Sequence, residues 1–253
     1  MLTNYHTHHY RCKHAEGTIE DYIIEAIKQG YAEIGISCHI PFDESFPEVG
    51  TGQRMDFADL PTYFAEIDAL KVKYQAQIKV LKSLEAEYFS QIHDYVAVLA
   101  EETDYLLLAG HFIELDGKYP TAFNFTKVAE LHAYAEQLEI AMATGMFQIL
   151  AHPDLFMVAY PKWDAVCEEI THKIAQAVLK YDVILEVNAN GLRRRNQPYP
   201  AREFWDIIAT HYPQTKVIVN ADCHAPRLLN DEMMHEARRL AKDLDLNVLV
   251  KLP

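Results

Sequence analysis

The chain has 253 residues, half of them hydrophobic, and a formal net charge of −14, which is apolar material enough for a full core in one or two domains. The acidic balance excludes a module that grips nucleic acid by its phosphates. It holds no run of eighteen apolar residues, no secretory leader and no CxxC pair among Cys12, Cys38, Cys167 and Cys223, so the expectation is a soluble, cytoplasmic protein with reduced thiols and no membrane partner.

In chain order, short β-branched runs alternate with longer segments of helical spacing. The predicted strands are 2–6, 33–39, 78–85, 104–111, 147–152, 183–190 and 216–224. The predicted helices lie near 18–30, 56–76, 90–101, 125–143, 163–181, 201–212 and 231–243. The first helix opens on a capping-box pair, Thr18 with Asp21, carries an apolar face of Tyr22, Ile23, Ala26 and Ile27, and ends at Gly30. Near-continuous apolar strands joined by helices mean a parallel sheet covered on both faces. Seven right-handed βα units close most simply into a TIM-like barrel, with an open doubly wound sheet as the alternative. The tail 246–252 offers an edge or an eighth strand. No linker or repeat divides the chain, so residues 1–253 are expected to form a single domain.

The thirteen histidines fall into two sets. His93, His132, His172, His211 and His235 sit inside helix patterns and receive no function. His6, His8, His39, His111, His152 and His224 stand at the C-terminal ends of predicted strands, and His14 follows in the loop after the first. In a parallel barrel that end carries the active site, because the βα loops converge there. One strand-end histidine is ordinarily a satisfied core residue; six in one chain need another explanation. Residues i and i+2 of a strand share a face. His6 and His8 therefore project together, as do Asp222 with His224 and Glu85 with Glu87, while Thr7, Ala86 and Cys223 face away. Imidazoles and carboxylates are ligands for zinc, iron or manganese. The pattern predicts a metal centre at the barrel mouth.

The stretches HTHHYRCKH (6–14), SCHIPF (37–42), LEAEYF (84–89), GHFIEL (110–115), LAHPDL (150–155), EVNANGLRR (186–194) and NADCH (220–224) run in order along nearly the whole chain. Together they resemble the polymerase-and-histidinol-phosphatase (PHP) superfamily, and within it the histidinol-phosphate phosphatase branch. The resemblance implies an α/β fold, a distorted (β/α)7 barrel, with three divalent transition-metal ions (zinc, iron or manganese). It also implies hydrolysis of L-histidinol phosphate to L-histidinol and phosphate, a step of histidine biosynthesis. Carried across position by position, it places a first metal on His6, His8, Glu85 and Asp222. Glu85 bridges to a second on His111 and His152, and His14, His39 and His224 hold the third. Glu85 is taken over Glu87 because it fills the first acidic position of the LExEY-like pattern. Glu87 then contacts either a ligand histidine or the amine and imidazole of the substrate. His9 is left to packing or to support of the ligands.

Nine ligands with two carboxylates, set against three divalent cations, leave such a centre cationic by about four units, which draws a phosphate dianion in despite the acidic exterior. The expected reaction is in-line attack of a metal-activated hydroxide on phosphorus, with Asp222 or a ligand histidine such as His224 relaying the proton. Guanidinium suits the phosphate; the family pattern favours Arg193 in the run GLRRR (191–195), and Arg54, after the second strand, is the other candidate. Two features depart from the family: the connection from His111 to His152 is short, and Ser83 stands where a glycine is usual. The first bears on a lid over the leaving group. Competing readings are a PHP enzyme acting on nucleotides or oligonucleotide ends, a barrel amidase or lactonase, and a non-catalytic metal-binding protein. The amidase reading lacks its strand-end lysine, and a zinc finger at Cys12 and His14 lacks a second pair.

Overall fold

The computed structural model describes residues 1–253 except 44–45, 47–48, 50–51, 161 and 195–198. Among the described residues seven strands pair in chain order, all parallel: β1 (Leu2–Asn4), β2 (Tyr31–Ile36), β3 (Lys79–Ala86), β4 (Tyr105–Leu108), β5 (Ile149–Leu150), β6 (Ile184–Asn188) and β7 (Val217–Asn220). The connecting helices are α1 (Ile19–Lys28), α2 (Leu60–Tyr74), α3 (His93–Glu102), α4 (Val128–Ala143) and α5 (Ala165–Tyr181), then α6 (Asn190–Arg193), α7 (Arg202–His211) and α8 (Glu232–Asp243). Thr18 and Asp21 do form the reciprocal cap that starts α1, and Gly30, at a φ of +77°, turns the chain from that helix into β2. The single turn α6 has no counterpart among the predicted helices. Among the described residues no helix is long and apolar enough to cross a membrane.

The barrel is nearly closed, and side chains make the seam. Ala221 N donates to Asn4 Oδ1 (2.6 Å) and Tyr5 N to Asn220 Oδ1 (2.8 Å), so two asparagines replace the ladder that β1 and β7 lack. Above them His8 N donates to the Cys223 carbonyl at 3.0 Å. The open-sheet alternative is thereby set aside. Inside, Tyr5, Tyr105, Leu107, Ile149, Ile184 and Ile218 pack into a small cluster of their own, separate from the larger core between strands and helices. The tail adds no strand. It makes one parallel bridge, Val217 with Val248, and packs Leu249 and Leu252 against the interior cluster.

The strands that precede the histidines are shorter than predicted, stopping two or three residues before His6, His39, His111 and His152. At β5 and β7 the reason is conformational. His152 and Asp222 have φ of +29° and +42°, in the left-handed region that no strand residue occupies. The chain bends inward there, and the bends lay the side chains across the C-terminal mouth.

Candidate metal centre

All nine expected ligands meet at this mouth, around Glu85 near the end of β3. His6 Nε2 and His8 Nε2 lie 3.3 and 3.4 Å from Glu85 Oε2, and 3.7 and 3.2 Å from Asp222 Oδ1. On the other side His152 Nε2 and His111 Nε2 approach Glu85 Oε1 at 2.8 and 3.5 Å. His39 turns its Nδ1 to Glu85 Oε2 at 2.8 Å, and its ring stands 5.4 Å from that of His14. His14 and His224 face each other through Nε2 at 3.0 Å. The i and i+2 rule puts His6 and His8 on one face, with their Nε2 atoms 3.1 Å apart.

The donor set fits cations. His14 and His224 each donate Nδ1–H to a backbone carbonyl, so their facing Nε2 atoms present two lone pairs that a cation would satisfy. Glu85 Oε2 and Asp222 Oδ1 are buried without a hydrogen bond; His39 Nδ1 touches Glu85 Oε2 without the alignment a hydrogen bond requires. Buried carboxylate oxygens left so are costly. Triads such as His6, His8 and Asp222, or His39, Glu85 and His111, bring their ligand atoms within 4.8 Å of one another.

The electrostatics follow from this crowding. Burial pushes Glu85 up, but His111, His6 and His39 outweigh it and hold the carboxyl well below the ordinary range. Asp222 is likewise held well below its usual value, burial being outweighed by His6, His8 and His224. Burial, with the charge of His8, drives His224 down to about 3 and His39 well below the ordinary imidazole value. His39 and His224 are thus held as the neutral imidazoles that ligate metals, whereas neighbouring carboxylates outweigh burial at His6, His8 and His152 and raise them.

Around the ligands sits a layer that fixes their rings. Glu87 Oε1 accepts from His111 Nδ1 at 2.8 Å and lies beneath that ring, outside the cavity lining. The corresponding partner of His6 is Glu186 on β6, whose Oε1 meets Nδ1 at 2.8 Å, while its Oε2 accepts from His152 N at 3.0 Å. The sequence reading did not single out Glu186. Its spacing with Asn188 and Asn190 was the available signal, since both asparagines donate to Asp222 Oδ2 (3.1 and 3.2 Å). His9 is buried and stacks on Tyr63 with centroids 5.3 Å apart, away from the centre. Cys223 is buried and Thr7 bonds the Gly35 carbonyl, both facing away as expected.

A cavity of about 150 Å³ opens above the ligands, walled by Gln53, Arg54, Phe112, Phe123, Arg194 and Tyr199. Arg54 lines it, although Nε and Nη1 bond the carbonyls of Val49 and Ile40 (3.0 Å each) and Nη2 lies 3.6 Å from Glu87. Arg193 does not line it. Its guanidinium donates to both carboxylate oxygens of Asp231 (2.8 and 2.9 Å) and to the carbonyls of Leu228 and Ala221. Arg193, the last residue of α6, is turned to Asp231 at the start of α8, and its neighbour Arg194 reaches the cavity instead; Arg195, the last of the run, lies outside the described residues.

The PHP domain family model matches residues 4–190. The chain belongs to the PHP family. Among curated PHP relatives, the Histidinol-phosphatase of Bacillus subtilis is 30% identical over 121 residues, 45% of each chain. A Probable histidinol-phosphatase of Schizosaccharomyces pombe is 38% identical over 246 residues, covering 85% of this chain and 78% of that one. Among solved structures, histidinol phosphate phosphatase from Lactococcus lactis, complexed with zinc, L-histidinol and phosphate, superposes with a TM-score of 0.75 at 22% identity, over 98% of this chain and 95% of that one. At that identity the likeness establishes the shared barrel.

Proposed function

We propose that this PHP protein is a metal-dependent phosphomonoesterase that hydrolyses L-histidinol phosphate to L-histidinol and phosphate, acting in the cytoplasm with three divalent ions of zinc, iron or manganese. The observation that carries this reading is the convergence of histidine nitrogens on two buried carboxylate oxygens, Glu85 Oε2 and Asp222 Oδ1, that accept no hydrogen bond. The activity of the curated relatives supports the choice of substrate.

Divalent ions bound here would supply a water that ionises near neutral pH and Lewis acidity at the phosphoryl oxygens. His6, His8, Glu85 and Asp222 would hold the first, Glu85 with His111 and His152 the second, and His14, His39 and His224 the third. Glu186 and Glu87 hold the Nδ1 protons of His6 and His111, so that each Nε2 lone pair faces inward. Arg194 at the rim and Arg54 in the wall take the phosphoryl oxygens, the part expected of Arg193. Glu87, committed to His111, leaves recognition of the leaving group to the flat walls of Phe123 and Tyr199 and to the amide of Gln53. Relay of a proton to the departing alkoxide is assigned to Asp222 or His224, both of which line the cavity.

Phosphate release from L-histidinol phosphate and from nucleoside monophosphates, by wild type and by His8→Ala, tests this. Wild type should prefer histidinol phosphate by roughly tenfold or more in kcat/KM, and His8→Ala should lose turnover while its circular dichroism is unchanged. A nucleotide preference would refute the substrate; an active His8→Ala would remove His8 from the chemistry.

A further inference from the structure

The phosphatase reading uses only one edge of the His8 ring. Nε2 faces the nine-ligand centre, and Nδ1 on the opposite edge is buried without a hydrogen bond. Four other ligand histidines give their outward nitrogen to oxygen: His6 to Glu186, His111 to Glu87, His14 to the Cys12 carbonyl and His224 to the Asp222 carbonyl. His8 faces sulfur. Cys12 closes the short turn Tyr10–Cys12, Cys38 lies two residues past β2, and both thiols are free and fully buried. A ring nitrogen of His8 and the two Sγ atoms all lie within 4.8 Å of one another, and with Nε2 turned to Asp222 that nitrogen is assigned as Nδ1.

We propose that Cys12 Sγ, Cys38 Sγ and His8 Nδ1 form a further metal site, for a thiophilic divalent cation of the zinc type, joined to the phosphatase centre through the His8 ring. Two thiolates and an imidazole nitrogen are a donor set such cations select over oxygen-preferring ones. The nine-ligand centre offers only nitrogen and oxygen, so the two sites differ in chemistry although they share a residue. Charge balance favours occupation. Two thiolates neutralise one divalent ion, and the negative charge of a bridging His8 imidazolate is met by the cations of the nine-ligand centre, which avoids an uncompensated charge in a place closed to water. Loading forms two metal–sulfur bonds and one metal–nitrogen bond. Each thiol and the Nδ1–H of His8 gives a proton to solvent, and the resulting imidazolate bridges the two groups of cations. The unpartnered nitrogen and the close thiols then have a single cause.

Loading the purified protein with cobalt(II) tests the proposal, because cobalt bound by thiolate has an intense near-ultraviolet charge-transfer band and cobalt bound by nitrogen and oxygen alone does not. Wild type should show the band. Cys38→Ser should lose about half of it or more, and Cys12→Ser/Cys38→Ser all of it, while the weak visible bands of cobalt in the nine-ligand centre persist. X-ray absorption on the wild-type cobalt protein needs no variant and should find sulfur at about 2.3 Å. A wild-type protein with neither the band nor a sulfur neighbour would overturn the site and leave the thiols as packing partners of His8. A band that survives in the double variant would overturn it equally. Neither readout depends on phosphatase activity, so the two proposals fail separately.

Discussion

At the scale of single residues, the outward nitrogen of a ligand histidine decides which lone pair reaches a metal. Glu87 makes that choice for His111 from a position with no exposed surface. Glu87→Gln should weaken metal binding by about 10–100-fold. Titrating metal into the stripped protein reads this directly, with turnover recovering at saturating metal; unchanged affinity would deny Glu87 the role. The convergence of the candidate ligands was legible because an HxH pair, a DxH pair and histidines at strand ends are local patterns that the sheet converts into proximity. Glu186 was not, because a glutamate inside an apolar strand run acquires meaning only when β6 is seen beside β5 and β7. The arginines show a finer limit. The unforeseen turn α6 ends at Arg193 and Arg194 takes extended backbone (φ −101°, ψ 123°), which separates Arg194 at the cavity from Arg193 at Asp231.

At the scale of elements, that same pair fastens α6 to the start of α8. Asp231 receives the Arg193 fork and also caps α8 by accepting from Met234 N at 3.0 Å. Burial raises its carboxyl, but Arg193 outweighs burial and the value is depressed. A depressed carboxyl stabilises the fold fully above the unfolded Asp pKa of about 3.9, and that contribution is lost as the pH falls below it through the folded value. Asp231→Asn should therefore cost about 1–3 kcal/mol at neutral pH, with the gap to wild type narrowing near pH ~3. Urea unfolding at both pH values measures it; an equal gap at each would contradict the assignment. The seven strands and their order were legible from alternation of type. The ends of β5 and β7 were not, because the turns at His152 and Asp222 are left-handed bends that the strand pattern does not announce.

At the scale of the whole molecule, the barrel is a thin cylinder closed at one seam and filled by few side chains. Gly35 on β2 lets Tyr105 reach across it: a Cβ there would stand 1.8 Å from the Tyr105 hydroxyl and 2.9 Å from Tyr5 Cα. Gly35→Ala should destabilise the fold by about 1–3 kcal/mol or more, through forced movement of the interior, seen as a lowered Tm; an unchanged Tm would show that the interior has slack. A barrel was readable from the count of βα units, whereas its closure by Asn4 and Asn220 was not, since a side-chain seam leaves no hydrophobic signature. The mouth of this cylinder is the candidate metal centre: histidines from five separate βα connections, with Glu85 and Asp222, surround a space suited to cations on an otherwise acidic protein. The most direct measurement is phosphate release from L-histidinol phosphate, followed together with metal content through chelation and re-addition of zinc, manganese or iron. Activity should fall to background as the metal leaves and return with it. Undiminished turnover by metal-free protein would contradict the account.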